Sequence, residues 1–171
     1  AFYVLWVDSF SHRDWHKGFS SMARDAEYRE VYDLVSYLLK TYSGSGKTFY
    51  LGHWEGDGML RHTVSREDDS RVTPEAVQGM VDWLNTRQQA VDDAKRDTPH
   101  SEVNAWHYTE VNHVVLARDE NRPALVNLVL PSVAVDFVSY SAYDAANQAD
   151  PKNLKSALDY IESKLQKKQG I

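Results

Sequence analysis

Four runs of β-forming residues alternate with helical patterns along this chain, and nowhere do two runs meet across a tight hairpin turn. The runs fall near residues 2–8, 48–54, 103–110 and 133–140. Strands joined by long crossovers pair in parallel, and such crossovers are almost always right-handed. The expectation is therefore a parallel α/β sheet in sequence order, built from four βα units with the helices outside. Every strand of such a sheet delivers its C-terminal end to one rim, which places Asp8, Glu55, Glu110 and Asp144 together.

The intervening patterns support this reading. From Asp25 onward, Tyr28, Val31, Tyr32, Leu34, Val35, Leu38 and Leu39 form one broad apolar stripe that stops at the Ser-Gly-Ser-Gly of 43–46. Residues 59–72 read as a charged loop. Thr73-Pro74-Glu75 then supplies an N-cap, a first-turn proline and an early acid. Val77, Met80, Val81, Leu84, Val91 and Ala94 carry a helix to about Lys95, and Pro99 ends it. The third run, 102–115, reads as a strand, followed by a short helix near 122–130. Asp150-Pro151 caps a last helix with Leu154, Leu158, Ile161 and Leu165 in register. The first run is already strand-like at Ala1, so the chain reads as beginning inside a fold.

Composition narrows the partners. The 171 residues carry a formal net charge of -6 with both signs interspersed, so there is no basic stripe to track nucleic acid. Cysteine is absent, which removes disulfides and thiolate chemistry, and no apolar stretch is long enough to span a bilayer. Five tryptophans and ten tyrosines suit either a core or a sugar-binding cleft. No cofactor motif stands out. Gly44-Ser-Gly-Lys-Thr48 imitates a phosphate loop, but Thr41 occupies the place of the first glycine and the loop precedes its strand. Among the histidines, His53, His107 and His113 lie near strand ends, yet no two of these three have the His-x-x-x-His spacing and His107 should face away from Glu110. A zinc hydrolase is the weaker alternative.

The stretch 48–58 (TFYLGHWEGDG) is the chemical centre. It runs from a buried strand into a loop with two carboxylates, His53 and Trp54 between glycines. Gly56 and Gly58 permit a sharp turn with positive φ and a close ligand approach. Asp57 reads as a turn-former.

Three strand ends, Trp-Glu-Gly-Asp at 54–57, Tyr-Thr-Glu-Val-Asn at 108–112 and Asp-Phe-Val-Ser-Tyr-Ser-Ala-Tyr-Asp at 136–144, in this order resemble the middle of the (β/α)8 glycoside hydrolases of the large retaining clan. In that clan an acid/base Glu ends the fourth strand and a nucleophile Glu the seventh. The resemblance implies that this chain is half of a (β/α)8 TIM-type barrel, strands three to six, with Glu55 as acid/base. The nucleophile strand is then expected beyond Ile171. The clan's Asn before its acid/base is replaced here by Trp54, preceded by His53.

Glycoside hydrolysis needs one carboxyl that arrives protonated and one that is ionised, about 5 to 5.5 Å apart in retaining enzymes and about 6.5 to 9.5 Å in inverting ones. Glu55 suits the acid. Glu110 is a second catalytic carboxylate, a ligand for a substrate hydroxyl or a buried partner of Asn112. Asp8, His53, Trp54, Asn112, Tyr140 and Tyr143 are candidate substrate-binding residues, with core or rim packing as the alternative for the tyrosines. The expected partner is a carbohydrate. The edge strands of a half-barrel invite self-association or pairing with the missing half. A non-catalytic carbohydrate-binding or assembling module is the alternative function.

Overall fold

The computed structural model describes residues 1–10, 15–63, 65, 68–146 and 151–166. Strands β1 (Phe2–Trp6), β2 (Lys47–Gly52), β3 (Val103–Val111) and β4 (Phe137–Tyr140) form one sheet in the order β1-β2-β3-β4. All three pairings are parallel, as the absence of hairpin signals requires. Helix α1 (Ser21–Thr41) links β1 to β2. A short α2 (Gly56–Arg61) and a long α3 (Pro74–Asp97) link β2 to β3. Between β3 and β4 lie α4 (Val114–Glu120), α5 (Leu125–Leu128) and a 3-10 turn at Leu130–Ser132. After β4 come α6 (Tyr143–Ala146) and α7 (Pro151–Lys164). The expected cap at Asp150 lies outside the described residues.

The register sorts the side chains onto two faces, because residues in a strand alternate. Phe49 aligns with Ala105, Leu51 with His107 and Val111 with Tyr140, and these point toward the helices. There Val31, Val35, Leu38 and Leu39 of α1 and Ala90, Val91 and Ala94 of α3 bury Phe49, Leu51 and Ala105 in one cluster. A second cluster joins Val111 to α3, α5 and α7 through Leu84, Leu125 and Ile161. Both helix starts are capped by a hydroxyl. Ser20 accepts the Ala23 amide at 3.2 Å and Thr73 accepts the Ala76 amide at 3.2 Å.

The other face carries Phe2, Val4 and Trp6 of β1, Tyr50 of β2, Trp106 and Tyr108 of β3, and Phe137 of β4. Phe2, Val4 and Trp6 are 78%, 67% and 66% exposed. The Tyr50 and Phe137 rings approach to 5.3 Å although β3 lies between their strands. Side chains meet over an intervening strand where a sheet curves toward that face.

Several boundaries differ from expectation, and the fourth strand begins at Phe137 where 133 was expected. The third run ends as a strand at Val111 and turns helical at Val114, and the loop expected over 59–72 begins inside α2. The first helix also starts four residues early, at Ser21, because Ser20 caps it.

Candidate active site

Beyond β2 the chain takes one residue of left-handed backbone before α2, and that residue is Glu55, at φ 54° and ψ 53°. The expectation had placed positive φ at the following glycines. Gly56 serves close approach instead: a Cβ there would stand 2.2 Å from the Glu110 carbonyl oxygen and 2.7 Å from the His53 ring. A non-glycine residue in left-handed conformation costs about 1 kcal/mol or more and persists where its surroundings enforce it. Here the enforcement is visible. The Glu55 amide donates to a Glu110 carboxylate oxygen at 2.9 Å, and the Asn112 side-chain amide donates to the same oxygen at 3.2 Å.

Asp57 is a hub, not a turn-former. Fully buried, it accepts the backbone amides of Asn112 (2.8 Å) and His113 (3.1 Å) on one oxygen. Its other oxygen takes the Leu125 amide at 2.8 Å and the Arg61 guanidinium at 3.4 Å. Arg61, also fully buried, donates to the Pro123 carbonyl and to Asp69 at 3.1 Å. Asp69 is shared with Arg122 at 2.9 Å. Thus the loops after β2 and β3 are stitched into one rim by groups that satisfy one another. The signal in the sequence is the Asp57-x-x-x-Arg61 spacing, legible only once α2 is known to be a helix.

The remaining candidates occupy distinct places. Asp8 follows β1 and is exposed. Trp54 is 56% exposed and stacks on Trp6, ring centroids 5.5 Å apart. His53 is buried toward the helices and shares a 2.8 Å hydrogen bond between Nε2 and the Thr109 hydroxyl. Burial, with Arg87 adding repulsion, pulls its pKa down to about 3, so the ring is neutral. Asn112 is buried and exchanges hydrogen bonds with Asp57. Tyr140 sits on the helix side, where its hydroxyl donates to Asp144; burial and that bond push its pKa up. Asp144 also accepts the Val115 amide at 2.8 Å. Tyr143 is exposed and opens α6. The rim therefore joins Glu55, Glu110 and Asn112 directly, with Trp54 and Asp8 alongside, whereas Tyr140 is engaged elsewhere.

Three tryptophans that the sequence did not single out complete the surroundings. A cavity of about 330 Å³ at the ends of β1 and β2 is walled by Trp6, Trp15, Trp54 and Trp83, with Asp8 and His53 in its lining. Beside it, Glu55 lines a hollow of about 610 Å³ with Trp15, Trp54, Met59 and His62. Under this wall Arg87 is 2% exposed, donates to the Val7 carbonyl at 2.7 Å and pairs with Glu27 at 3.1 Å. Its guanidinium lies 4.7 Å from the Trp83 ring centre, and burial lowers its pKa against the opposing pull of Glu27. Glu27 in turn accepts the Ser9 hydroxyl. The buried pair so anchors the chain on both sides of Asp8.

On the open face Tyr108 lies across Gly52, where a Cβ would meet its ring at 2.4 Å. Burial and the neighbouring Glu110 raise its pKa, which keeps the phenol protonated next to that carboxylate. Among the described residues no group of three or more His, Asp or Glu side chains is placed to hold a metal, and no helix is long and apolar enough to cross a membrane. No family model, curated protein or solved structure matches the chain.

Proposed function

We propose that this chain is half of a (β/α)8 barrel and a partial catalytic domain of the glycoside hydrolase type, with Glu55 as general acid/base for an O-glycosidic bond. The observation that carries the reading is the junction of Glu55 and Glu110 at the rim, through a 2.9 Å bond, beside a tryptophan-walled cavity. Two carboxylates and stacking surface are the inventory that glycoside cleavage uses. The strained backbone at Glu55 adds support, since conformations held against local preference cluster at functional sites. In this reading Glu110 binds a substrate hydroxyl or serves as a further carboxylate. Asp8, His53 and Trp54 line the substrate cavity, Asn112 positions Glu110, Tyr140 is withdrawn from the substrate by its bond to Asp144, and the nucleophile comes from beyond Ile171.

The exposed aromatic face favours a companion reading of assembly. Four strands wound in sequence order, with α1 and α3 on one face, leave the opposite face to become a barrel interior when further strands arrive. A second copy or the other barrel half is the expected partner, and a carbohydrate the expected ligand.

The test of the acid role uses the protein with its barrel closed. Glu55→Gln should slow an unactivated glycoside by about 10²- to 10⁴-fold, the usual worth of a general acid. Aryl glycosides with good leaving groups should suffer far less, while Glu110→Gln slows both alike if it only binds a hydroxyl. Equal slowing of both substrates by Glu55→Gln would remove Glu55 from the acid role. The coding sequence downstream of Ile171 gives a second check, since the reading requires a strand there that ends in Glu.

A further inference from the structure

Three hollows lie in series across the rim, and the side chains between them are shared. Trp15, Trp54 and Met59 line both the tryptophan cavity and the hollow of Glu55. His16 and His62, stacked at 4.7 Å, line both the Glu55 hollow and a third one of about 590 Å³. The result is a groove with an aromatic end, a carboxylate in the middle and a third hollow at the far end.

That far end is basic. Lys17 and Arg71 line it with the two histidines, against one carboxylate, Glu75. Both cations are exposed, and neither forms an ion pair with a described residue. Arg71 interacts only at longer range with the exposed Asp68. Such a concentration stands out in a chain of net charge -6. The N-terminus of the 24-residue α3 also opens here, and its dipole adds positive potential to the same hollow.

Resting on the glycoside reading above, we infer that the groove takes an anionic glycan. One sugar face stacks at Trp6 and Trp54, the glycosidic oxygen lies at Glu55, and a unit bearing a carboxylate or sulfate ester sits between Lys17 and Arg71. A neutral glycan gives Lys17 and Arg71 no ion-pair partner. An acidic one supplies it, and the stacking end makes the ligand a chain of sugars instead of a lone anion.

Calorimetric titration of the 171-residue protein tests this with four probes: tetragalacturonate, a sulfated galactan tetrasaccharide, cellotetraose and inorganic sulfate. At least one of the two acidic tetrasaccharides should bind more tightly than cellotetraose, and its affinity should fall as salt rises. The double variant Lys17→Ala/Arg71→Ala should weaken that probe roughly tenfold and leave cellotetraose unchanged, because exposed pairs contribute modestly and both side chains lie outside the core. The melting temperature of the double variant should stay that of the parent, which separates lost binding from lost fold. Whether the carboxylate or the sulfate ester binds better identifies the source of the charge. Cellotetraose binding as tightly as both acidic probes, or a double variant with unchanged affinities, overturns the inference and leaves the glycoside reading standing. Inorganic sulfate binding as tightly as the acidic glycans reduces the hollow to an isolated anion site and overturns the glycan assignment. Binding of no probe overturns it as well, and Glu55→Gln kinetics then decide the glycoside reading separately.

Discussion

The two faces of the sheet use the same strands and alternate residues, yet they are in opposite states. Phe49, Leu51 and Ala105 are sealed beneath α1 and α3, while Phe2, Val4 and Trp6, one residue out of phase, are largely bare. A soluble monomer rarely leaves such a contiguous apolar patch uncovered without a use for it. A doubly wound sheet would place helices on both sides, and this one is wound in a single direction. What differs between the faces is therefore coverage, not composition. The missing coverage is what the proposed barrel half would supply.

The largest effect should come from truncating matched aromatics on the two faces. Phe49→Ala should cost about 3 to 5 kcal/mol in urea unfolding, the usual cost of emptying a packed aromatic site. Phe2→Ala at low protein concentration should cost less than about 0.5 kcal/mol, as substitutions at exposed positions do. A comparable loss at Phe2 would mean that the face is already covered in solution.

Next in size is a pH effect confined to the covered side. His53 is neutral in the folded protein down to about pH 3, but the unfolded chain protonates it near 6.5. Above 6.5 neither state holds the proton, so His53 contributes no pH dependence there. Between those values only the unfolded state binds it, and stability falls with pH by about 1.4 kcal/mol per unit from this residue. Comparing urea midpoints from pH 7 to 4 for the parent and His53→Gln should show a shallower decline in the variant. Parallel curves would show that the imidazole is accessible.

The smallest effect lies at the junction of the faces. Glu55→Gly should raise stability by up to about 1 kcal/mol, because glycine adopts φ 54° without strain. A loss in the same thermal melt would show that the Glu55 side chain holds the rim together and is not free to act on a ligand.

The strands, their order and the start of α3 were legible because each rests on local chemistry: β-rich runs, a missing hairpin turn, and Thr73-Pro74. What was hidden rests on tertiary bonds. Glycine disfavours helix at 56 and 58, so α2 looked like loop; it forms where Asp57 and Arg61 lock into neighbouring segments. Val114 and Val115 continue a strand-like run, yet the chain turns into α4 after Asp57 captures the Asn112 and His113 amides and Asp144 captures that of Val115. Asp57 itself looked like an ordinary turn residue because its backbone partners are 55 to 68 positions away. At the rim, the placing of Glu55, Glu110, Asn112 and Trp54 at strand ends was legible in the β-rich runs. Trp6, Trp15 and Trp83 were not, since a tryptophan in a run or a loop carries no sign of which cavity it will wall.

In the proposed half-barrel the bare face is an interface, the inside of an incomplete barrel. Sedimentation velocity of the 171-residue protein at micromolar concentration tests it most directly, alongside a Val4→Lys/Trp106→Lys variant that charges the open face without touching the covered one. Dimers or larger species are expected for the parent, with a shift toward monomer for the variant. A clean, stable monomer for the parent would contradict it.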